Sequence, residues 1–157
     1  MRDGFKFSAQ PVTILLVDDD EDCRQLIRDA IEQGKLDNPV FEVCSGEHAL
    51  QFLRREGIFA HAPRPGLIYL DIEMPGLDGQ QTLKAIRSDP RFSDIAVVMM
   101  TGVTDDEQKL LAMANGANSY TNKPTDAMTF MQTVVQSTNY WVRIHQFPSA
   151  EATCNVA

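Results

Sequence analysis

Acidic side chains, a threonine and a lysine stand at the ends of four segments of the chain, of which the first three are apolar and the last is more polar. Asp18 and Asp19 come directly after one apolar run, and Asp71 comes directly after another. Thr101 and Lys123 end two further segments. Carboxylates bind hard cations and can act as nucleophiles, while hydroxyl and ammonium groups donate hydrogen bonds to phosphoryl oxygens. If these segment ends meet in space, the residue types predict a metal-assisted phosphoryl-transfer site.

The elements that must position these residues are strands alternating with helices. Strands are predicted at residues 12–17, 40–44, 66–70, 95–100 and 117–122. The intervening segments have helical spacing, and their predicted first residues or caps are Asp20, Ser45, Gly79, Thr104 and Thr125. Every connection is long enough for a crossover, which predicts an α/β domain with a parallel sheet and helices on both faces. The carboxyl ends of such strands share one rim, where ligands bind.

The predicted helix boundaries depend on turn-forming residues. The first helix is expected to end near Gly34, which tolerates the left-handed conformation, and the last helix is expected to reach Phe147.

Interactions with the following helix do not explain why Asp18 and Asp19 are adjacent in the sequence. Asp20 can cap the following helix, and the acids after it favour the positive end of that helix. Asp18, Asp19 and Asp71 would repel one another by about 3 kcal/mol per pair at roughly 5 Å and an effective dielectric constant near 20. A divalent cation relieves that repulsion, and a ligand set of oxygens without His or Cys favours Mg²⁺.

Asp71 is the predicted nucleophile, because aspartyl carboxylates form acyl phosphates. Lys123 is predicted to pair with one phosphoryl oxygen and the Thr101 hydroxyl to donate to another. Three carboxylates, one Mg²⁺ and one lysine sum to formal neutrality, so phosphate fits while both cations are present. For a single Asp71, a solvated residue after a strand is the simpler interpretation. The recurrence at four strand ends favours a site.

Composition excludes several classes of protein. The chain has 157 residues, a formal net charge of −8 and a pI near 4.7, which disfavours a nucleic-acid partner. The three cysteines form neither a disulfide framework nor a zinc motif, and no segment suits a signal peptide or a membrane span. We expect a cytoplasmic protein with an arm at residues 1–10, one domain at 11–147 and a disordered tail at 148–157.

The order of the motifs resembles that of the receiver domains of two-component response regulators, and of chemotaxis-type single-domain regulators in particular. The resemblance covers about residues 12–147. Its motifs are Asp18-Asp19, Leu70-Asp71, Met74-Pro75-Gly76, Asp78-Gly79, Thr101-Gly102 and Lys123-Pro124. It implies a flavodoxin-like, doubly wound, five-stranded parallel sheet in the order 2-1-3-4-5 with five flanking helices.

The resemblance also implies roles at the site. Asp71 would be phosphorylated by a sensor histidine kinase. Asp19, Asp71 and the backbone carbonyl of Glu73 would ligate Mg²⁺, with Asp18 acting largely through water. The extra carboxylate of Glu73 is either a solvated loop group or an influence on the hydrolytic water.

A switch follows from the same resemblance. On phosphorylation, Thr101 would move toward the phosphate and Tyr120 would turn inward, which changes a surface that binds an unidentified downstream protein. In this family the Lys123-Pro124 peptide bond is usually cis. Thr125 stands where an aromatic residue is common and is interpreted as a helix cap.

Two features resemble the branch of the family that serves bacterial phytochromes. They are the long loop containing Pro63 and Pro65 and the last helix with its tryptophan.

The last helix also predicts a homodimer. It carries apolar residues beyond those that one core needs, namely Trp141, Val142 and Phe147.

Two alternatives remain open. An enzyme, such as a phosphatase or phosphotransferase with an aspartyl nucleophile, would typically have a second Asp where Glu73 stands, and a cap segment. A binding module that no longer takes phosphate is disfavoured by the intact acids and Lys123. The favoured interpretation is a phosphoacceptor that catalyses only its own phosphorylation and dephosphorylation.

Overall fold

Five parallel strands form the centre of the molecule. The computed structural model describes residues 11–102, 106–123 and 126–144, with side chains as far as residue 142. The strands are β1 (Ile14–Val17), β2 (Val40–Val43), β3 (Leu67–Asp71), β4 (Ala96–Thr101) and β5 (Ser119–Asn122). The helices are α1 (Glu21–Gln33), α2 (Gly46–Arg54), α3 (Gly79–Ser88), α4 (Asp106–Ala114) and α5 (Ala127–Asn139). A 3-10 turn at Gly57–Phe59 precedes β3, and a π-helical turn at Tyr140–Ile144 continues α5.

The strand order is β2-β1-β3-β4-β5, which confirms the predicted doubly wound sheet. Each neighbouring pair is parallel, and Ile14 of β1 stands opposite Val40 of β2 and Leu67 of β3. The strands β1, β3 and β4 are buried along their whole length, whereas β2 and β5 are partly exposed at the two edges. Strands buried on both faces need continuous apolar sequence, which is the pattern that predicted them.

Alternate residues of the strands pack on opposite faces of the sheet. One face packs against α2, α3 and α4, and the other packs against α1 and α5. Leu70 belongs to the first core, while Tyr69 belongs to the second. The helices therefore lie on both faces, as right-handed crossovers require.

The helices that follow the strands begin at side-chain caps. Asp20 accepts a hydrogen bond from the backbone N–H of Asp22, and Ser45 accepts one from that of His48. Asp78 and Gln81 form a reciprocal capping box at α3. These contacts satisfy amide groups that have no partner inside a helix. The predicted starts near Asp20, Ser45 and Gly79 are confirmed.

The predicted end of the first helix near Gly34 is confirmed, because α1 ends at Gln33 and Gly34 is its cap, but the left-handed conformation lies one residue later. Gly34 has right-handed φ and ψ angles, and the left-handed residue is Lys35, with φ 55°. The cap of α5 is Asp126 rather than Thr125, because a carboxylate at that position accepts from two backbone amides of the first turn. The predicted capping box at Thr104, the Lys123-Pro124 bond, Phe147 and both terminal segments lie outside the described residues.

The last helix packs differently from the prediction. Trp141 is 8% exposed and packs in the core shared with α1 and α5, so it does not extend past that core. Trp141 lies seven residues after Val134 and three after Thr138, so it continues the buried face of α5 at helical spacing. Tyr140 is 48% exposed and is the aromatic residue of this turn that faces solvent.

The fifth strand begins later than predicted. The amide of Ala117 donates to the carbonyl of Ala112, which closes α4, and the amide of Asn118 then donates to Val97 in β4. Within the described parts of the chain, no helix has both the length and the apolar character needed to cross a bilayer.

Candidate functional site

Asp18 is held in a buried position at the end of β1. The strand places Val17 in the core, and the Asp18 side chain is 0% exposed. Its Oδ1 accepts a hydrogen bond from the backbone N–H of Asp20 at 2.9 Å, and Arg24 Nη1 donates to its carbonyl at 2.6 Å. The neighbouring Asp19 is exposed. The two adjacent acids thus occupy different environments, one inside the sheet rim and one facing solvent.

Asp71 is the last residue of β3 and is 5% exposed. The following residue, Ile72, remains tied to the sheet because its N–H donates to the carbonyl of Met100 at 2.9 Å. The start of α3 approaches this strand end closely, since a Cβ on Gly79 would lie 2.2 Å from the backbone oxygen of Asp71. Glycine at this position permits the contact.

The carboxylate groups of three aspartates lie close together. Asp18, Asp19 and Asp71 each offer an oxygen within 4.8 Å of the others. Lys123 Nζ lies 2.7 Å from Asp18 Oδ2 and 3.3 Å from Asp71 Oδ1. The end of β5 positions this lysine, because its N–H donates to the carbonyl of Thr101 at 2.7 Å. The structure therefore brings together residues that are distant in sequence.

The charges of the cluster perturb its pKa values. Burial, followed by repulsion from Asp18, raises the pKa of Asp71 to about 7, although Lys123 and the Glu73 amide oppose the increase. Burial lowers the pKa of Lys123, but the hydrogen bond and charge of Asp18, with the charge of Asp71, outweigh it and raise that pKa. The lysine stays charged, while Asp71 resists ionisation when Lys123 is its sole cationic partner.

The donor set fits a divalent hard cation. Three carboxylates supply oxygens within the reach of one ion, and their chemistry suits Mg²⁺ or a similar metal. Lys123 supplies one positive charge, which does not balance three ionised carboxylates. Glu73 Cα lies in the loop directly after Asp71, and its N–H donates to Asp71 Oδ1 at 3.3 Å. The backbone of this loop thus runs beside the cluster.

Two further predicted residues lie next to the cluster rather than in it. Thr101 ends β4, is 2% exposed, and stands opposite Asn122 in the sheet. Tyr120 is opposite Met99, farther back along the sheet. Its ring is half-buried against the core under α4, and Lys109 Nζ lies 5.0 Å from the ring centroid.

Cys23 is a member of the site that was not predicted from the sequence. Cys23 in α1 is 6% exposed, and burial, followed by its hydrogen bond with Asp18, raises the pKa of its thiol to about 12. The protonated thiol donates to Asp18, since a carboxylate can only accept. Its helical spacing to Ile27 and Ala30 on the buried face of α1 could have indicated this inward position.

Comparison with known proteins agrees with this geometry. A sequence model of the response regulator receiver domain matches residues 14–135. Response regulator Rcp1 of Synechocystis sp. is 27% identical, over 91% of this chain and 97% of Rcp1.

Two solved structures are similar. The phosphorylated cyanobacterial phytochrome response regulator RcpA superposes with a TM-score of 0.84 at 30% identity, covering 88% of this chain and 99% of RcpA. The Mn²⁺-bound form of Rcp1 gives a TM-score of 0.83 at 26% identity, covering 88% and 100%. Receiver domains bind divalent metal and are phosphorylated by histidine kinases. The chain belongs to the response regulator receiver domain family and is a phosphoacceptor in two-component signalling.

Proposed function

We propose that Asp71 is the residue that accepts the phosphoryl group, from the phosphohistidine of a sensor kinase. The observation that carries the proposal is the convergence of three carboxylates and Lys123 at the ends of β1, β3 and β5. In a parallel sheet these ends form the ligand-binding rim. The receiver domain is proposed to span residues 11–147, between an arm at 1–10 and a tail at 148–157.

The reaction forms an oxygen–phosphorus bond on Asp71. Lys123 and the Glu73 amide both contact Oδ1 of the Asp71 carboxylate. The other oxygen, Oδ2, is therefore the proposed attacking atom. As Oδ2 attacks phosphorus, the bond from phosphorus to the kinase histidine breaks, and its electron pair returns to the imidazole nitrogen. The transition state gathers charge on the phosphoryl oxygens, so stabilisation comes mainly from positioned positive charge.

Lys123 and Thr101 supply the remaining contacts to the phosphoryl group. Lys123 leaves Asp71 Oδ1 to pair with one phosphoryl oxygen, because the ammonium group follows the added negative charge. The Thr101 hydroxyl donates to another, and its movement makes room for further burial of Tyr120. The half-buried ring of Tyr120 against the core under α4 supports this coupling, with Lys109 stacked on its exposed side.

The proposed metal is Mg²⁺. Asp19, Asp71 and the Glu73 backbone carbonyl would hold it, with Asp18 contributing through water because Lys123 already occupies Asp18 Oδ2. When bound, the metal neutralises the carboxylates and the incoming phosphoryl oxygens. The all-oxygen donor set supports Mg²⁺ as the resident ion.

A small phosphodonor tests the proposal. Incubation of the protein with acetyl phosphate and Mg²⁺ is expected to add one phosphoryl group, stable in acid and labile in base, that maps to Asp71. Asp71→Asn is expected to show no such adduct. Continuous release of phosphate at a rate far above the decay of the adduct would instead indicate the enzyme alternative. A wild-type protein that binds Mg²⁺ but takes no phosphoryl group would indicate a binding module.

We also propose a phytochrome-type kinase as the partner. The similarity to RcpA and to Rcp1 supports this branch, together with the loop containing Pro63 and Pro65. The protein is proposed to act in the cytoplasm, where the kinase domain of such a sensor resides, and to catalyse only its own phosphorylation and dephosphorylation. Phosphotransfer from a purified phytochrome kinase, compared with a chemotaxis kinase, would discriminate between the branches.

We also propose a homodimer formed through the last helix. The residues that support it differ from Trp141, Val142 and Phe147, on which the sequence-based prediction rested. Met128 is 68% exposed and Tyr140 is 48% exposed. A groove of about 440 Å³ between α1 and α5 is lined in part by Met128, Met131 and Val135. Such an apolar groove favours contact with a second copy.

Sedimentation velocity tests the dimer. The wild type is expected to sediment as a dimer, and Met128→Glu is expected to shift it to monomer, because Met128 lines the groove and a charge there would be buried in the interface. Lys84→Glu on α3 reverses an exposed charge elsewhere and is expected to leave the dimer intact. A monomeric wild type at concentrations of about 100 µM, well above a typical specific dissociation constant, would reject the proposal.

A further inference from the structure

The loop between β3 and α3, residues 72–78, is held by a side chain from another part of the molecule. Glu47 in the first turn of α2 accepts a hydrogen bond at Oε1 from the backbone N–H of Leu77, at 3.0 Å. The neighbouring contact, from Glu73 N–H to Asp71 Oδ1, is local. Of the hydrogen bonds described for residues 73–77, the one from Leu77 alone reaches an element far away in sequence.

Two glycines allow α2 to approach this loop closely. Gly76 has φ +74°, and a Cβ there would lie 3.1 Å from Glu47 Oε2. A Cβ on Gly46 would lie 2.8 Å from the carbonyl oxygen of Leu77 and 2.1 Å from Thr82 Oγ1. A side chain at position 46 would push the helix and the loop apart, whereas one at position 76 would be strained by the positive φ and would displace the Glu47 carboxylate. The contact between Glu47 and Leu77 is therefore built into the backbone on both sides.

Glu47 is not required as the cap of its own helix. Ser45 fills that role by accepting from the N–H of His48. An acid in the first turn also favours the positive end of the helix, but that effect needs no particular direction of the side chain. The carboxylate of Glu47 instead points across to the loop, where a carboxylate that accepts from a backbone N–H makes a strong hydrogen bond.

We propose that Glu47 is a positioning residue for the metal site. It fixes the amide of Leu77 and, through it, the course of the loop whose Glu73 carbonyl is the one proposed ligand supplied by the backbone. Groups that orient metal ligands from outside typically alter metal affinity about 10- to 100-fold when they are removed. The inference rests on the proposed function, because it assumes that the metal binds between Asp71 and this loop.

The test compares three variants without and with metal. Glu47→Ala removes the acceptor, Glu47→Gln keeps an acceptor oxygen but removes the charge, and Gln51→Ala alters another exposed residue of α2. Mg²⁺ affinity is measured by calorimetry. Hydrogen exchange at the Leu77 amide is measured by NMR on the metal-free protein, so one measurement does not depend on the metal.

Glu47→Ala is expected to weaken Mg²⁺ binding about tenfold and to speed exchange at Leu77, while Glu47→Gln restores most of both and Gln51→Ala matches the wild type. Loss of affinity in Glu47→Gln equal to that in Glu47→Ala would assign the effect to charge and overturn the positioning role. So would unchanged affinity in Glu47→Ala. If the wild type takes up neither Mg²⁺ nor a phosphoryl group on Asp71, the proposed function itself fails, and the inference fails with it.

Discussion

At the scale of single residues, the site is defined by a conflict of charge. Asp71 and Asp18 are both buried, and Lys123 lies within salt-bridge distance of each. Burial, followed by the repulsion from Asp18, raises the pKa of Asp71 to about 7 despite its contact with Lys123. The proposed phosphoacceptor carboxylate is therefore reluctant to ionise until a second cation joins it.

Asp71→Asn is expected to stabilise the metal-free protein at high pH. Burial and the repulsion from Asp18 raise the folded pKa above its value in the unfolded chain, so the folded state binds the proton more tightly. Wild-type stability therefore falls as pH rises from about 4 to about 7, and the loss is complete above that range. The predicted gain at pH 8 is about 1 to 2 kcal/mol, because solvent at the rim screens part of the effect.

Urea unfolding in the presence of a chelator measures this difference. The gain of Asp71→Asn should shrink toward pH 5, where wild-type Asp71 holds its proton. A variant that is equally favoured at both pH values would show that the side-chain amide acts through packing and that the raised pKa contributes nothing.

Lys123→Met is expected to destabilise the metal-free protein at pH 8 by about 2 to 3 kcal/mol. The substitution removes the partner of Asp18, which is fully buried, and an uncompensated buried charge is costly. The loss is smaller than for a fully buried pair because the lysine side chain is 20% exposed. Lys84→Met, at an exposed lysine on α3, is the matched control and should change the free energy of unfolding little in the same urea titration. Equal effects of the two substitutions would contradict the assigned pairing.

At the scale of elements, the Tyr69 hydroxyl joins the central strand to the last helix, where it lies near the Val134 carbonyl and the Thr138 hydroxyl. Tyr69 of β3 and Thr138 of α5 are both fully buried, and their hydroxyl oxygens lie 2.7 Å apart. Because β3 also ends in Asp71, this contact helps to fix the strand that carries the proposed phosphoacceptor relative to α5.

Tyr69→Phe is expected to destabilise the fold by about 1 kcal/mol, since the Thr138 hydroxyl loses its described side-chain partner in an apolar setting. Tyr69→Phe combined with Thr138→Val should cost less than the sum of the two single substitutions, because both polar groups are then gone. Chemical denaturation of the four proteins gives the coupling energy. Simple additivity would indicate that the hydroxyl groups do not interact.

The sheet was predictable from sequence because its physics is local. Strands buried on both faces require continuous apolar runs, and each run identified a strand to within a short shift. The acids and the lysine that follow these runs were likewise correctly predicted to meet. Crossover geometry predicted the helices on both faces of the sheet, whereas the strand order 2-1-3-4-5 was implied by the resemblance to receiver domains.

The errors arise where a tertiary contact decides between neighbouring candidates. Thr125 and Asp126 are both plausible caps, and the two backbone amides that Asp126 accepts from settle the choice. Trp141 appeared surplus to the core, although it continues the buried face of α5 at helical spacing after Phe130, Val134 and Thr138. Glu47 was not predicted as part of the site, since its contact with Leu77 spans 30 residues.

At the scale of the whole molecule, metal and folding are linked. The carboxylates of Asp18, Asp19 and Asp71 come together only through the sheet, so the unfolded chain has no comparable site. Mg²⁺ at 100 times its dissociation constant should therefore stabilise the protein by about 2.7 kcal/mol. For a chain of this size that corresponds to a rise in Tm of about 5 to 10 °C.

Thermal unfolding followed by circular dichroism tests this expectation. Chelator should reverse the rise, and NaCl at matched ionic strength should reproduce little of it, because screening alone does not join the three carboxylates. An equal rise with NaCl would show that the net charge of −8, rather than a defined site, responds to salt.

The strand that carries the lysine is the last of the five to leave the ribosome. When β1 and β3 have been synthesised, Asp18 and Asp71 can already meet, but their ammonium partner at position 123 has not yet been made. Before residue 123 is synthesised, the Asp18 and Asp71 carboxylates therefore lack the ammonium group that contacts both of them in the folded protein. We therefore expect the synthesis of Lys123 to remove one electrostatic obstacle to closing the centre of the sheet.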